Sequence, residues 1–200
     1  MQRVSASALA GALAAATLAG CASAPPASTA SRAAPQLQLA PALLGHALDL
    51  QQHITVVAPG HEQAIDVLLE ADAEHVQLGV VAMGQVAARL NWDGTTLTET
   101  KAPWWPQAVS GARILSDLQL TLWPVDAIQA ALPPGWRLAE AGAVRTLTQD
   151  GDVVTVITHT SAQVVELDQR REHFHLTIES RDAGDSVDAQ TSAASAPARR

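Results

Sequence analysis

Few residues in this chain have the type and spacing that chemistry needs. Asp117 and Gln119 interrupt an otherwise apolar stretch from Ile114 to Trp123, and a polar group placed there must find a partner or serve a site. A catalytic acid at Asp117 would need a partner at a diagnostic spacing, and the sequence offers none. Capping or bonding of nearby backbone is the simpler expectation. His173 and His175 alternate with Phe174, so both imidazoles fall on one strand face with Thr177 and Glu179. Two such ligands can grip a metal edge on, but a third is missing, and a polar outer face explains the same pattern. Ser110 with Gly111, and Ser161, lack a base at a recognisable position. No Gly-x-Ser-x-Gly elbow, phosphate loop, dinucleotide fingerprint or His-Glu-x-x-His occurs. An enzyme is not expected, and neither a metal nor a cofactor is called for.

Aromatic chemistry is concentrated in tryptophan. There is no Tyr and one Phe against five Trp, so Trp92, Trp104, Trp105, Trp123 and Trp136 must fill a core or line a site. Trp104 and Trp105 lie between Pro103 and Pro106, where neighbouring indoles cannot both turn to one interior. An exposed indole there suits a membrane or partner contact, because Trp favours boundaries between apolar and wet surroundings. Both rings folded over the rim of the domain is the alternative.

The charge balance removes another class of function. Twenty acidic side chains against 12 basic ones give a formal charge of -8, and binding a phosphate backbone needs clustered positive charge. Nucleic acid is therefore not an expected partner. A single cysteine excludes an internal disulfide framework and any Cys-rich zinc site.

That cysteine has a context of its own. Arg3 is followed by an uncharged stretch rich in Ala and Leu from Val4 to Ala19, too short and too weakly apolar for a membrane span. The stretch ends in Leu18, Ala19, Gly20 and Cys21, which resembles the lipobox of bacterial lipoproteins. By that resemblance, residues 1–20 are a signal peptide and Cys21 is the lipid attachment site. The protein would then sit lipid-anchored on a membrane, with membrane lipid as its first partner. Ala22 follows the cysteine where Asp would favour inner-membrane retention, which implies the periplasmic face of the outer membrane. A simple signal peptide cut near Ala24, with Cys21 discarded, is the alternative. Residues 21–41 are rich in Ala, Ser and Pro and read as a disordered tether. Residues 183–200, again small and polar, read as a disordered tail.

Between these ends, residues 42–182 should form one domain, since a chain of 200 residues with 48% hydrophobic content supplies one ordinary core. Its first half alternates with the strand period. Ile65 to Asp72, His75 to Val81, Val86 to Trp92 and Thr95 to Thr100 are the expected strands, with Ala73 and Glu74 as one turn and Asp93-Gly94 as a two-residue hairpin. Val86, Ala88, Leu90 and Trp92 are expected on one face. From about Val109 the period changes, and Ile114, Leu118 and Leu122 mark an amphipathic helix. Pro124 ends or kinks it, and a second short helix spans Val125 to Leu132. Strands resume at Trp136 to Glu140, Val144 to Thr148, Val153 to His159, Gln163 to Leu167 and Glu172 to Ser180. The expected fold is mainly β, a curved antiparallel sheet forming a half-open barrel with a helical insertion packed in its concavity.

The run Ile114-Leu115-Ser116-Asp117-Leu118-Gln119-Leu120-Thr121-Leu122-Trp123-Pro124, after a strand ending in Asn91-Trp92-Asp93-Gly94, resembles the uncharacterised lipoproteins encoded with aryl polyene biosynthesis genes. The likeness covers most of residues 52–180. By strand order and helix placement, that family is in turn similar to the LolA/LolB type of lipoprotein carrier, whose half-open barrel holds acyl chains. The resemblance implies an acyl or polyene-type lipid ligand, moved or inserted at the outer membrane. The residues expected to line its site are Val86, Leu90, Trp92, Leu118, Leu122 and Trp123, bulky side chains on the expected inner face. The same residues would look no different in a packed core. A barrel filled by its own side chains would instead suit a structural or assembly module with an envelope protein as partner. One departure is that the family carries more aromatic residues on its last strands, where this chain has His173, Phe174 and His175.

Overall fold

The computed structural model describes residues 34–106 and 109–184. Ten strands form one antiparallel sheet: β1 (Leu48–Ala58), β2 (His61–Ala71), β3 (Val76–Ala82), β4 (Gln85–Trp92) and β5 (Leu97–Lys101), then β6 (Trp136–Ala141), β7 (Val144–Gln149), β8 (Asp152–His159), β9 (Val164–Gln169) and β10 (Phe174–Asp182). Two helices, α1 (Gly111–Leu122) and α2 (Val125–Ala131), separate the halves. The spatial order is β5-β4-β3-β2-β1-β10-β9-β8-β7-β6. Each half is a meander of neighbouring hairpins, and β1 with β10 forms the seam. The sheet does not close, so the expected mainly β fold, a curved sheet with a helical insertion, is the one observed.

Alternation decides which face is buried. On β2 and β3, Val67, Leu69, Ala71, Val76, Leu78 and Val80 point inward, while Asp66, Glu70 and Gln77 point to solvent. Helix α1 lays Leu115, Leu118 and Leu120 into the same core. Its N-terminus is capped by Ser110, whose hydroxyl accepts from the Arg113 N–H. Its C-terminus is satisfied by Arg145 of β7, whose Nη1 donates to the carbonyls of Leu120, Thr121 and Trp123 at 3.1, 3.1 and 2.9 Å. A cation there also complements the negative end of the helix dipole. Gln129 of α2 accepts from the Leu138 N–H of β6 at 2.8 Å, which ties the second helix to the edge of the sheet.

Several expectations shift. Val86 faces outward, because Val80 pairs with Ala88 while Val81 pairs with Val86, leaving Ala87 as an extra residue in β4. This bulge reverses the alternation, so Ala87 and Ala88 are both buried and Val86 is exposed. The hairpin at Asp93-Gly94 is a four-residue loop, in which the Asp93 carboxylate accepts from the Thr95 and Thr96 N–H groups. Those two bonds hold its carboxyl below the usual range. His173 belongs to the turn before β10, with φ 58°, and so does not share a strand face with His175.

The largest difference lies before the sheet. Residues 34–41, expected in a disordered tether, pack along α1 as a strap that continues into a 3-10 turn at Pro41–Leu44. Ala34, Leu37, Leu39, Pro41 and Leu44 are buried. The Leu37 N–H donates to Ser116 Oγ at 3.0 Å and the Leu39 N–H to Gln119 Oε1 at 3.0 Å. The Ala and Pro content that suggested a tether hides an apolar alternation at Leu37, Leu39 and Leu44. Cys21, the signal peptide, the rest of the tether and the tail from residue 185 lie outside the described residues.

Candidate functional site

Four of the six residues expected to line a ligand site, Leu90, Trp92, Leu118 and Trp123, belong to the packed core, and the strap is bonded to the two tryptophans. Trp92 donates its indole N–H to the Leu39 carbonyl at 2.8 Å, and Trp123 donates to the Ala40 carbonyl at 3.3 Å. Leu90 is buried beneath α1, its Cδ2 methyl lying 2.8 Å from where a Cβ on Gly111 would stand. Leu118 is buried, and Leu122 packs half-buried against the same cluster. Val86 is on the opposite face of the sheet. Trp104 is exposed while Trp105 is buried, the two rings meeting edge to face with centroids 6.3 Å apart.

The central strands present the inner face differently. The registers place Gln52, Ile54 and Val56 of β1 beside Val67, Ile65 and Gln63 of β2 and beside Ser180, Ile178 and Leu176 of β10. Val165 of β9 stands opposite Ile178. Ile54, Ile65, Val165 and Leu176 are only half-buried, unlike the inward residues of β3 and β4. An apolar strip thus runs over the middle of the sheet where neither the strap nor α1 fully covers it.

One end of this strip carries a polar cluster built around Arg113. Arg113, on the first turn of α1, lies over the Phe174 ring, 5.6 Å from its centroid. Its Nε donates to Asp117 Oδ2 at 2.8 Å, one turn along the helix, and its Nη1 to Glu172 Oε1 at 2.5 Å. The amide of Gln169, oriented by its own neighbours, accepts from Arg113 Nη2 at 2.8 Å and donates to the Val154 carbonyl at 2.9 Å. The guanidinium is therefore held from three sides. Asp117 uses one oxygen for Arg113, while its buried Oδ1 meets no donor among the described residues. Burial pushes the Asp117 carboxyl up to about 6, although Arg113 pulls it down. Chemically, this is a cation with a directed hydrogen-bonding face, plus a carboxyl with an acceptor to spare, beside apolar surface.

Sequence reasoning picked out Asp117 as a polar interruption of an apolar helix, and missed both partners. Arg113 is an i, i+4 partner that the helix period makes visible. Glu172 comes from the far end of the chain and carries no local signal. Gln119, the other polar interruption, holds the strap: its Nε2 also donates to the Leu39 carbonyl at 3.0 Å.

A second concavity lies on the outer face, an open groove of about 440 Å³ floored by Gly79 and bordered by Leu68, Gln77, Arg89, Asn91 and Thr98. It is shallow and solvent-facing. Among the described residues no group of three or more His, Cys, Asp and Glu is placed to hold a metal, and no helix is long and apolar enough to cross a membrane.

Comparison with known proteins gives one family and no curated relative. The family described as "Protein of unknown function (DUF3261)" matches residues 49–182. No curated protein matches the chain. The matched span begins within β1 and ends with β10, which leaves the strap outside it. The chain belongs to this family of proteins of unknown function.

Proposed function

We propose that the protein is an outer-membrane lipoprotein, anchored through Cys21, whose half-barrel binds the apolar portion of an amphiphile of acyl or aryl polyene type for transport or insertion. The observation that carries this reading is the half-buried strip of Ile54, Ile65, Val165 and Leu176 running to Arg113, Asp117 and Glu172. A lipid tail gains by leaving water along such a strip, at about 25 cal/mol per Å² of apolar surface covered. A polar head remains where charged groups and water meet.

The test is mass spectrometry of the mature chain purified from membranes, native and after organic extraction. A reproducible added mass is expected, lost on Leu176→Glu and kept on the outer-face substitution Leu68→Glu. A bare chain, under conditions that retain lipid on a known carrier, sinks the carrier reading. Anchoring is checked separately: Cys21→Ser should abolish labelling by fatty acid and release the protein from the membrane fraction. A variant that stays labelled and bound removes the anchor from the proposal.

A second reading has its own support. Leu90, Trp92, Leu118 and Trp123 are packed against the chain's own strap and helix, as in a barrel filled by its own side chains. An assembly module of this kind would carry no ligand and would instead co-purify with one stable envelope protein.

A further inference from the structure

The antiparallel order sends alternate turns to opposite ends of the sheet, and the two ends differ in chemistry. One end holds the 72–75, 93–96 and 160–163 turns. Its character is set by Asp72 and Asp93, whose carboxylates accept backbone N–H bonds, and by Glu74, Thr160 and Ser161. The opposite end holds the 59–60, 83–84 and 170–173 turns, together with the loop that follows β5. Exposed large apolar side chains gather there. Val57, Met83, Val86 and Trp104 belong to this end, whereas Leu68 lies on the outer face and Leu43 near the other end. Met83 occupies the tip of the β3–β4 turn with φ 52° and is 77% exposed. A left-handed conformation is uncommon for a residue with a side chain, and here it sets a long, flexible apolar group at the most projecting point. Trp104, 40% exposed, stands nearby, since the segment leading to it is tied to β4 by the Ala102 N–H donating to the Ala87 carbonyl at 2.8 Å.

The strap gives an independent pointer to the same end. Pro35 meets Ser116, Leu39 meets Gln119 and Ala40 meets Trp123, so the strap runs parallel to α1. Its C-terminal part reaches the polar end, where Pro41 packs on Gly94. Its first described residue, Ala34, therefore lies toward the Ser110 end of α1, where Arg113 meets the 170–173 turn through Glu172. Residues 22–33 separate it from Cys21, a path of at most about 45 Å when fully extended.

From these two observations we infer that the end bearing Met83, Val86 and Trp104 is a membrane-contacting rim, seated in the lipid surface that holds the acylated Cys21. The inference rests on the anchoring proposed above. Met83 stands on the β3–β4 turn, Val86 beside it at the start of β4 and Trp104 on the loop after β5, a scattered apolar set that suits a fluid surface. The charges at this end are of both signs, Glu62 and Asp66 against Arg89, Arg170 and Arg171, so insertion would not depend on anionic lipid. The mouth of the half-barrel, marked by Arg113 and Glu172, would then open beside the bilayer.

The experiment uses the full acylated chain in phosphatidylcholine vesicles. Acylation occupies the Cys21 sulfur, so Met83→Cys supplies a single free thiol for a polarity-sensitive fluorophore. Val86→Cys repeats the measurement at a strand position, and Ser161→Cys is the control at the polar end. The expected result is a blue shift at residues 83 and 86 and at least about twofold quenching by brominated lipid, with neither at residue 161. Probes at 83 and 86 as wet as the one at 161, on chains still held by the vesicles, overturn the rim while leaving the anchor intact. A blue shift without lipid quenching means that a second copy covers this end, and overturns it as well. Chains that carry no acyl group and float free of vesicles remove the anchor and, with it, the rim.

Discussion

Asp117 is the residue whose environment most constrains its behaviour. Its carboxyl is raised to about 6 by burial, against Arg113, from the ordinary 3.8. The folded chain thus holds this proton more tightly than the unfolded chain does. The associated stability is fully present below about pH 4 and is lost as pH rises through about pH 6. A shift of that size corresponds to about 3 kcal/mol at most. We expect Asp117→Asn to flatten this fall, as read by urea unfolding at a series of values from about pH 4 to about pH 7. A wild-type slope unchanged in the variant would mean that the carboxyl is not the group being titrated. The sequence made Asp117 conspicuous because a carboxylate amid Leu and Ile is costly without a partner. It could not show Glu172, Gln169 or the buried, unbonded Oδ1, because those depend on the pairing of β9 with β10 and their position over α1.

At the scale of elements, the strap is where local sequence and structure disagree most. Composition at residues 34–41 favours a chain with no structure of its own, yet Leu37 and Leu39 are buried and their N–H groups are bonded to α1. Each buried leucine contributes about 1.5–3 kcal/mol, and Gln119 satisfies both the N–H and the carbonyl of Leu39. Gln119→Ala should therefore loosen the strap, detected as faster proteolytic cutting between about residues 34 and 40, with the rest of the domain resistant. Equal resistance in variant and wild type would show that leucine burial alone holds it. Arg145→Met removes the donor to three carbonyls at the end of α1 and should cost about 1–3 kcal/mol in urea unfolding. Strand positions were largely legible because alternation is a local property. β1 was not singled out, since Gln52 and His53 interrupt its apolar pattern, and the fate of Val86 was hidden because one extra residue, Ala87, reverses the face of everything before it.

For the molecule as a whole, the boundary of the domain matters more than its length suggests. A chain starting at residue 45 lacks the segment that covers Trp92 and Trp123, leaving both indole N–H groups and the apolar side of α1 to water. It should bind a hydrophobic dye and melt well below a chain starting at residue 34. Equal melting points would show the strap to be dispensable. The mainly β architecture and the two-helix insertion followed from periodicity. The seam did not, because no local pattern says that the first strand pairs with the last.

That seam governs when the protein can fold. Every other pairing joins neighbours in the chain and can form as hairpins within microseconds, whereas β1 must wait for β10 and pays the loop-closure entropy of nearly the whole domain. Until the final strand is available, two separate meanders exist without the joint that makes them one sheet. A polypeptide arranged in this way completes its structure only after almost all of it has been delivered, and so remains threadable while its end is still being made.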